Sequence, residues 1–504
     1  MIKKRDATLF CVESGGYKKL AFGGEILTKA SAEGEKVIAM FPVVKPEQLG
    51  AKRFRQMYNT QYAYYAGAMA NGISSVEMLV KLGKKGFMGS LGTGGMEIEQ
   101  IAQCIDELQS RLKQGPYLIN LLNSIHNPEK ENKIVQIFLN KGVKAIEASA
   151  FINISEALVY YRLSGLKVDG NGEIISTNHI IAKISREEVA VKFMNCAPTD
   201  MVEKLLAKGK ITKEQAELSK FISMADDITV ESDSGGHTDN RPLISLLPAI
   251  ISLNNQIQDK NQLRNKVRIG AGGGIGTAAA ALAAFQMGAA YIVTGSVNQS
   301  CIEAGTSDRV KETLRKVRMQ DVVMAPCADM FEMGVKVQVI KKGTMFPQNA
   351  QKLYQYYQQY AGLEDIPQKY KSVLEERIFC CSLDDIWKLT KAYFLKVDPL
   401  QIKRADANAK FKMSLVFRWY LGQSAKWAIT GEADREFDMQ IWCGQSMGAF
   451  NSWVEGTKYE ESTHRKAVDV AKLIICGAAY LANIQNGILA GVHEESRFSL
   501  EHII

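Results

Sequence analysis

The chain has 504 residues, of which 46% are hydrophobic and 23% are charged. This composition is typical of a globular protein and excludes a disordered or fibrous chain, while the length predicts one large domain with a smaller one. The opening stretch, MIKKRDATLFCVESGG, lacks the apolar segment of a signal peptide, and no run of about 18 uncharged apolar residues follows it. We therefore expect a cytoplasmic protein without a membrane-spanning segment.

Charge and cysteine usage narrow the classes of partner. The nine cysteines form no C-x-x-C pair and no repeated spacing, which argues against a zinc site and a disulfide framework, so we predict no metal. The net charge of +8 is spread along the chain without the aromatic-interleaved basic clusters of nucleic-acid surfaces, so we expect no nucleic-acid partner. A weakly positive protein would still attract an anionic partner, and the sequence leaves a homo-oligomer open.

Residues 1–55 read as an N-terminal extension, after which a repeating β–α pattern begins. Short β-rich runs alternate with amphipathic stretches that have apolar residues at three- and four-residue spacing. The eight predicted strands are YAYYAGAM (62–69), GFMGSL (86–91), YLINLL (117–122), VKAIEAS (143–149), IIAKIS (180–185), DITVES (227–232), VRIGAG (267–272) and YIVTGS (291–296). Eight successive units predict an α/β fold, a (β/α)8 TIM barrel over residues 56–345, with a doubly wound open sheet as the alternative.

The most unusual stretches of the chain follow predicted strands. They read GAMANGIS, NLLNS, ESDSGGHTDN, GAGGGIGT and TGSVNQ. Active sites of such barrels lie on the loops after the carboxyl ends of the strands, so these stretches predict a ligand site at one mouth of the barrel.

A glycine-rich loop after the seventh strand predicts a phosphate site. Gly272, Gly273 and Gly274 lack a β-carbon, so their N–H groups can approach a phosphate, and an alanine-rich helix begins nearby. Gly295 and Ser296, after the eighth strand, would form the other side of this cradle. The alternative is a tight turn whose glycines serve only the backbone geometry. The spacing lacks a dinucleotide fingerprint, so bound flavin mononucleotide (FMN) fits better than a dinucleotide.

Two further sets of residues would face the flavin ring. The loop after the first strand could present the N–H groups of Ala68, Met69 and Ala70 without bulky side chains in the way. Asn120 and Lys183 end the third and fifth strands, and Lys183 could stabilise negative charge on the ring. A structural lysine without a catalytic role is the alternative for Lys183.

A histidine follows the sixth strand within ESDSGGHTDNRP. Two preceding glycines would let this loop fold tightly over the mouth, and we assign Gly236 to the cofactor-binding set. His237 could donate a hydrogen bond to a carbonyl oxygen or carry a proton near neutral pH, so we predict a catalytic role for it together with Lys183. The alternative is a solvated turn.

The chain changes character near Phe346. Residues 346–504 read mainly as helical segments and predict a helical subdomain packed on or beside the barrel. Trp442, Phe450 and Trp453 are expected to fill its core. The alternative is a lid over the mouth that helps to dock a carrier protein.

Several long strings resemble one known family. YAGAMANGISSVEM, ESDSGGHTDNRP, VTGSVNQSCIEAGTS, DMFEMGVKVQVIKKGTMFP and DMQIWCGQSMGAFNSWV are similar to the PfaD-type trans-acting enoyl reductases of polyunsaturated fatty acid and trans-acyltransferase polyketide synthases. The resemblance runs from about residue 40 to about residue 490. It implies an FMN-dependent barrel that uses NADPH to reduce the 2,3-double bond of an acyl thioester on an acyl carrier protein. His237 matches the histidine of related reductases, and Gly273 to Ile275 match their phosphate loop.

Three rival functions stay open. A nitronate monooxygenase would use the same barrel, flavin and histidine for oxidation with dioxygen. A dehydrogenase of the inosinate type would use Cys301 as a nucleophile, although a buried thiol is the simpler interpretation. A non-catalytic barrel could act as a partner within a synthase assembly.

Overall fold

The computed structural model describes residues 8–22, 27, 34–113, 115–124, 127–261 and 263–490. The predicted extension over residues 1–55 therefore lies partly outside the described residues. The strands are β1 (Leu9–Ser14), β2 (Tyr17–Phe22), β3 (Lys36–Phe41), β4 (Tyr64–Ala66), β5 (Met88–Leu91), β6 (Leu118–Leu122), β7 (Ala145–Ser149), β8 (Leu166–Val168), β9 (Ile174–Ser176), β10 (His179–Ile184), β11 (Asp227–Glu231), β12 (Gly236–His237), β13 (Arg268–Gly272), β14 (Ile292–Thr294), β15 (Val322–Pro326) and β16 (Lys336–Ile340).

The helices often begin at a capping side chain, as the sequence pattern requires. Ser75, Ser155 and Thr277 each accept a hydrogen bond from an N–H group three residues further on. The helices are α1 (Lys52–Tyr58), α2 (Val76–Gly83), α3 (Ile98–Leu112), α4 (Pro128–Asn140), α5 (Glu156–Leu163), α6 (Glu187–Met194), α7 (Thr199–Ala207), α8 (Lys213–Leu218), α9 (Leu243–Asn261), α10 (Ala278–Gln286), α11 (Ser296–Gln299), α12 (Asp308–Leu314), α13 (Phe346–Gln359), α14 (Gln368–Val373), α15 (Leu383–Val397), α16 (Pro399–Ala407), α17 (Ala409–Thr430), α18 (Ser446–Trp453) and α19 (Ala467–Leu489).

Eight parallel strands close into a barrel in the order β4, β5, β6, β7, β10, β11, β13 and β14, with β14 pairing back to β4. Each of the eight predicted runs overlaps one of these strands, so the predicted barrel is confirmed and the open sheet is wrong. The runs at residues 62–69 and 291–296 are longer than the strands they contain. Their last residues leave the ladder and form loops at the carboxyl ends of the strands, which we call the mouth.

The opposite end of the barrel is closed. Inside the barrel, Thr229 shares hydrogen bonds of 3.0 Å with the hydroxyl groups of both Tyr65 and Tyr291. Beneath this layer α1 stacks Phe54 on Tyr291, with 4.2 Å between the ring centroids, and the Tyr58 hydroxyl donates to Asp227 at 2.6 Å. Among the described residues, these side chains fill the end of the barrel opposite the mouth.

The region after the barrel strands divides into two parts. Buried apolar side chains between Ala325 and Leu421 form a second core, whereas those between Met439 and Leu481 belong to the core of the barrel. At the junction, Ile340 N–H donates to Ile441 O at 3.0 Å, so the chain leaves and rejoins the barrel at adjacent backbone. Residues 341–440, named the helical insertion below, are thus set into the barrel rather than added after it.

The last helix, α19, packs on α10 and α2 and fills the place of a barrel helix beside β14 and β4. The predicted C-terminal helical subdomain is present as the helical insertion, and its bounds of 346–504 stay a prediction. Within those bounds α19 packs on barrel helices, because helical periodicity marks an apolar face but not the surface that the face covers. Among the described residues, α19 is the one helix long and apolar enough to cross a membrane, and 67% of its apolar window is buried against the protein. A buried barrel helix passes the same test of length and composition, so α19 is weak evidence for a membrane span.

The first three strands form a small antiparallel sheet in the order β2, β1 and β3. Leu20 of this sheet lies against Gly487 near the end of α19. The sheet thus covers the outer wall of the barrel away from the mouth.

Candidate active site

Polar side chains form the top layer of the barrel interior. Side chains alternate along a strand, so Glu147, Lys183 and Asn120 point inward like the apolar residues two positions before them. The Lys183 ammonium lies 3.0 Å from Glu231 Oε1 and 3.6 Å from Glu147 Oε1. Burial alone would lower the pKa of Lys183, but the two carboxylates outweigh it and raise this pKa above its usual value. Lys183 is therefore a fixed positive charge at the mouth.

Two polar atoms of this layer are buried without a hydrogen-bond partner. They are Ser90 Oγ on β5 and Glu147 Oε1 on β7, whose contact with Lys183 is too long for a hydrogen bond. Buried polar atoms normally have partners, so these two indicate a polar ligand or water at the mouth. Sequence reasoning missed both residues, although their strands were predicted.

The loop after β4 reaches toward this layer. The Ala68 N–H group donates to Glu147 Oε2 at 3.0 Å, and the Met69 N–H group donates to Ser74 Oγ at 2.9 Å. The Ala70 carbonyl accepts from the N–H group of Ile73. That these N–H groups bind a flavin ring stays a prediction, and for Ala68 and Met69 it requires the present hydrogen bonds to be exchanged.

Asn120 is buried in the middle of β6, where its amide donates to Glu147 O at 3.0 Å and to Ser149 Oγ at 2.8 Å. The side chain therefore ties β6 to β7 beside Lys183. Its predicted contact with the ring has the right place in the fold and stays a prediction.

The glycine-rich loop after β13 has the backbone of a close-approach site. Gly273 and Gly274 have φ angles of +85° and +71°, which side chains disfavour. A β-carbon on Gly273 would lie 2.5 Å from Ser232 Oγ, whereas one on Gly274 or Gly295 would meet nothing within 4 Å. A β-carbon on Gly272 would lie 3.1 Å from Thr229. The loop and the end of β14 thus border open space that a phosphate could fill.

A segment near the end of the chain, Cys443 to Ser446, closes over this loop. The Gly444 N–H group donates to Ser296 Oγ at 2.9 Å, and a β-carbon on Gly276 would lie 2.2 Å from Ser446 O. The same segment lies against Gly235 of the histidine loop, 2.9 Å from where its β-carbon would be. Sequence reasoning missed this role, because WCGQSMG was recognised only as part of a family string.

The histidine loop is fixed rather than a free turn. Gln338 Nε2 donates at 2.7 Å to Asp233 Oδ1 and also to Ser234 O. Asp239 accepts two hydrogen bonds of 2.9 Å from Arg186. Gly236, with a φ angle of +82°, lets the chain reverse into the short strand β12, which pairs with β16.

His237 itself is half-exposed at the rim of the mouth. Its Nε2 lies 3.1 Å from Asp329 Oδ2, a residue that sequence reasoning did not single out. This hydrogen bond raises the pKa of His237, burial opposes the rise, and the charges of Asp329 and Glu231 add to it. Glu231, which pairs with Lys183, thus also raises the pKa of His237 through its charge.

Two cysteines near these loops are poor nucleophiles. Cys301 is fully buried, and burial raises its pKa, which argues against the inosinate-type mechanism. The donor atoms of His237, Cys327 and Asp329 lie within 4.8 Å of one another, but the Cys327 thiol donates to Asp329 O at 2.8 Å. Burial also raises the pKa of Cys327, so this cluster is a hydrogen-bonded group rather than a thiolate site.

Comparison with known proteins agrees with this geometry. Residues 52–372, more than half of the chain, match the model of the nitronate monooxygenase family. The enoyl reductase domain of MlnA from the macrolactin cluster of Bacillus amyloliquefaciens is 40% identical, with a TM-score of 0.84 over 88% of this chain and 99% of that domain. The chain belongs to the enoyl reductases of the nitronate monooxygenase family. The resemblance to PfaD-type reductases is thereby confirmed, as is the predicted class, oxidoreductase.

Longer relatives of this enoyl reductase family occur in synthase systems. The polyketide biosynthesis protein PksE of Bacillus subtilis is 45% identical over 87% of this chain, and a polyunsaturated fatty acid synthase protein of Thraustochytrium is 44% identical over 86%. The chain spans only 57% and 30% of the lengths of these relatives. FabK of Thermotoga maritima, at 15% identity and a TM-score of 0.52, shares the fold.

Part of the helical insertion has relatives of its own. Residues 360–439 match the helical domain that is inserted in [acyl-carrier-protein] S-malonyltransferases. This match falls within the helical insertion, which supports the division of the chain described above.

Proposed function

We propose that this protein is a trans-acting, FMN-dependent enoyl reductase that uses NADPH to reduce the 2,3-double bond of acyl chains carried as thioesters on acyl carrier proteins. The observation that carries the proposal is the open glycine cradle beside a layer of buried, partly unpartnered polar atoms. Membership in the family supports the same reaction class.

The residues at the mouth fit FMN. Gly272 to Gly274, Gly295 and Ser296 would hold its phosphate, since the space beside Gly274 and Gly295 is open. Ala68 to Ala70, Asn120 and Lys183 would line the ring, and Gly236 would let the histidine loop close over it. When bound, FMN would supply a two-electron redox centre between NADPH and the acyl chain. The fixed charge of Lys183 would favour negative charge in its neighbourhood.

His237 would act on the acyl chain. At the rim of the mouth its imidazole can hold the thioester oxygen, which gains negative charge during reduction, or deliver the proton to the α-carbon. The loop that carries it is held by Asp233 and Asp239, so the imidazole has a defined place.

The cofactor assignment is tested by a pair of substitutions at one site. Gly295→Ala fits the open space, whereas Gly295→Asp adds a negative charge where the phosphate would lie. We expect the alanine variant to purify yellow and the aspartate variant to fold without flavin, as absorbance and thermal melting would report. Stoichiometric flavin in the aspartate variant would refute the phosphate site.

The reaction is tested by anaerobic spectroscopy of the purified protein. We expect NADPH to bleach the flavin and an enoyl thioester to restore the colour. Turnover of alkyl nitronates with dioxygen, without activity on enoyl thioesters, would favour the nitronate monooxygenase function instead. A colourless protein would favour a non-catalytic role in a synthase assembly.

The partner would dock on the helical insertion. On α15 and α16 the side chains of Leu389, Tyr393, Val397 and Leu400 are between 54% and 64% exposed. Residues 386–404 contain five basic residues and one acidic residue, while Asp384, Asp385 and Asp406 flank them and Asp385 pairs with Lys388. Among the described residues, none forms an ion pair with Lys391, Lys396 or Lys403. An apolar face framed by positive charge suits an acidic carrier protein, so we assign carrier docking to this α15 face.

A further inference from the structure

We propose that Asp329 is a positioning residue that holds His237 through Nε2, so that Nδ1 of the charged imidazole is the atom that serves the substrate. This inference rests on the proposed function for its chemistry but on contacts alone for its geometry. Asp329 lies 92 positions beyond His237 in the sequence and in none of the loops that follow a barrel strand.

The two side chains belong to one small sheet. β12, β16 and β15 pair in that order, with Gly236 opposite Gln338 and His237 opposite Val337. Asp329 lies at the tip of the hairpin that joins β15 to β16, and its carboxylate returns to the imidazole at 3.1 Å. The ladder thus brings the turn that carries Asp329 beside His237.

The hairpin tip is anchored on both sides of Asp329. Before it, the Cys327 thiol donates to the Asp329 carbonyl at 2.8 Å. After it, Phe331 is fully buried against Tyr357 and Phe417 of the helical insertion. Glu332 accepts from Ser414 Oγ at 2.7 Å. The Asp329 side chain is 64% exposed, but its backbone is anchored on both sides, so its carboxylate can orient an imidazole from a fixed origin.

The contact determines which nitrogen is available. A carboxylate accepts a hydrogen bond and cannot donate one while ionised, so Nε2 must carry a proton. A neutral His237 would then have a bare Nδ1, which cannot donate to a thioester oxygen. Only the imidazolium can both keep Asp329 and donate from Nδ1, and the negative charge of Asp329 stabilises that form.

The charged groups around His237 agree on the direction of the pH effect. Asp329 on the hairpin and Glu231 on β11 raise the pKa of His237, burial lowers it, and Cys327 beside it stays a neutral thiol. The acid form is present below the raised pKa and is lost as the pH rises through it. Removing the charge of Asp329 should therefore shift the loss of activity to lower pH.

The test compares Asp329→Asn with Glu332→Gln. The first keeps shape but loses the charge beside the imidazole, while the second removes a carboxylate from the same tip and keeps an oxygen for Ser414. We expect Asp329→Asn to slow enoyl-thioester reduction about tenfold or more, with its alkaline limb moved to lower pH. In Glu332→Gln the alkaline limb of the pH–rate profile should stay at the wild-type pH. In Asp329→Glu this limb should return part of the way to the wild-type pH.

A second readout does not depend on the reaction. NMR titration of the histidine C–H resonances, assigned with His237→Gln, reports the pKa of His237 in the unreacted protein. We expect a lower pKa in Asp329→Asn than in the wild type. An unchanged titration in a folded Asp329→Asn protein would overturn the inference, whereas a changed titration without any enoyl reductase activity would count against the proposed function alone.

Discussion

Lys183 lies between two carboxylates in a layer from which water is largely excluded. Its side chain is 16% exposed, and that of Glu147 is fully buried. Three charges so close together stabilise one another only as a set, because each alone would be costly to bury. The lysine therefore has a structural role, and its proposed role beside the flavin ring would come in addition to that.

We predict that Lys183→Met lowers the free energy of unfolding by about 3 kcal/mol, because it leaves the Glu147 charge buried without its cation. Adding Glu147→Gln should recover part of that loss, since the uncompensated charge is removed. Urea denaturation of the two single variants and the double variant measures the coupling. Additive losses would mean that Lys183 and Glu147 do not interact.

At this scale the sequence predicts residues that follow their strands and misses those that come from elsewhere. Lys183, Asn120 and the glycines could be placed because strand ends share one mouth. Glu147 was not predicted as a site residue. The alternation of a strand shows that its side chain points inward, but the sequence does not show which cation it pairs with. Asp329 could not be found, because its contact with His237 depends on a hairpin whose position is set by tertiary packing.

The elements of the helical insertion show where an amphipathic pattern continues beyond its packing partner. Along α15 the side chains of Leu383, Ile386 and Thr390 are buried, and the same stripe continues into Tyr393 and Val397, which are exposed. A stripe that continues past its packing partner is a surface ready for another molecule.

We predict that the combined variant Lys391→Glu, Lys396→Glu and Lys403→Glu raises KM for a carrier-bound enoyl chain about tenfold, as three contacts of roughly half a kcal/mol each would give. KM for a short soluble thioester should not change. The matched control is Lys84→Glu with Lys85→Glu, at the closed end of the barrel. Added salt should weaken the binding of the carrier protein to the wild type, and this effect of salt should be smaller in the triple variant. Equal KM values for carrier-bound chains would place docking elsewhere.

Among the elements, the strands and most helices could be predicted because burial repeats with the period of each structure. The place of α19 could not, since its apolar face fits a barrel wall as well as a helical bundle. The boundary between barrel and insertion depends on which of the two cores each apolar helix face packs into. The sequence shows that a face is apolar but not which core it contacts.

Across the whole molecule, charge is buried at both ends of the barrel. At the closed end Arg162, 1% exposed, holds Asp226 through two hydrogen bonds of 2.6 and 3.1 Å, and His179 joins them. Burial would raise the pKa of Asp226, but Arg162 and His179 outweigh it and hold this pKa well below its usual range. Asp226 therefore contributes stability above the pKa it has in the unfolded chain, and this contribution is lost as the pH falls toward the folded value.

We predict that Asp226→Asn destabilises the protein by about 3 kcal/mol at neutral pH, because the Arg162 charge is left buried, and that the difference from the wild type shrinks below pH of about 4. The stability difference between variant and wild type is the quantity to compare. The pKa of neighbouring Asp227 is raised, so Asp227 adds its own pH dependence to the stability of both proteins. Asp200→Asn, which removes an exposed ion pair with Lys204, should change stability by less than about 1 kcal/mol. Thermal melts across pH would show a constant difference if Asp226 played no such part.

The barrel wall and the glycine cradle are both completed from the far end of the chain, and this has a consequence for synthesis on the ribosome. A nascent chain that has emerged only as far as β14 has all eight strands, yet α10 and α2 still lack α19, and Ser296 lacks Gly444. Synthesis proceeds at about 5–20 residues per second and domains fold as they emerge, so the barrel would stay incomplete while the helical insertion is made. The proposed FMN would then be loaded after translation rather than during it, and a chain that stops before residue 446 would lack both α19 and the segment that closes over the glycine-rich loop.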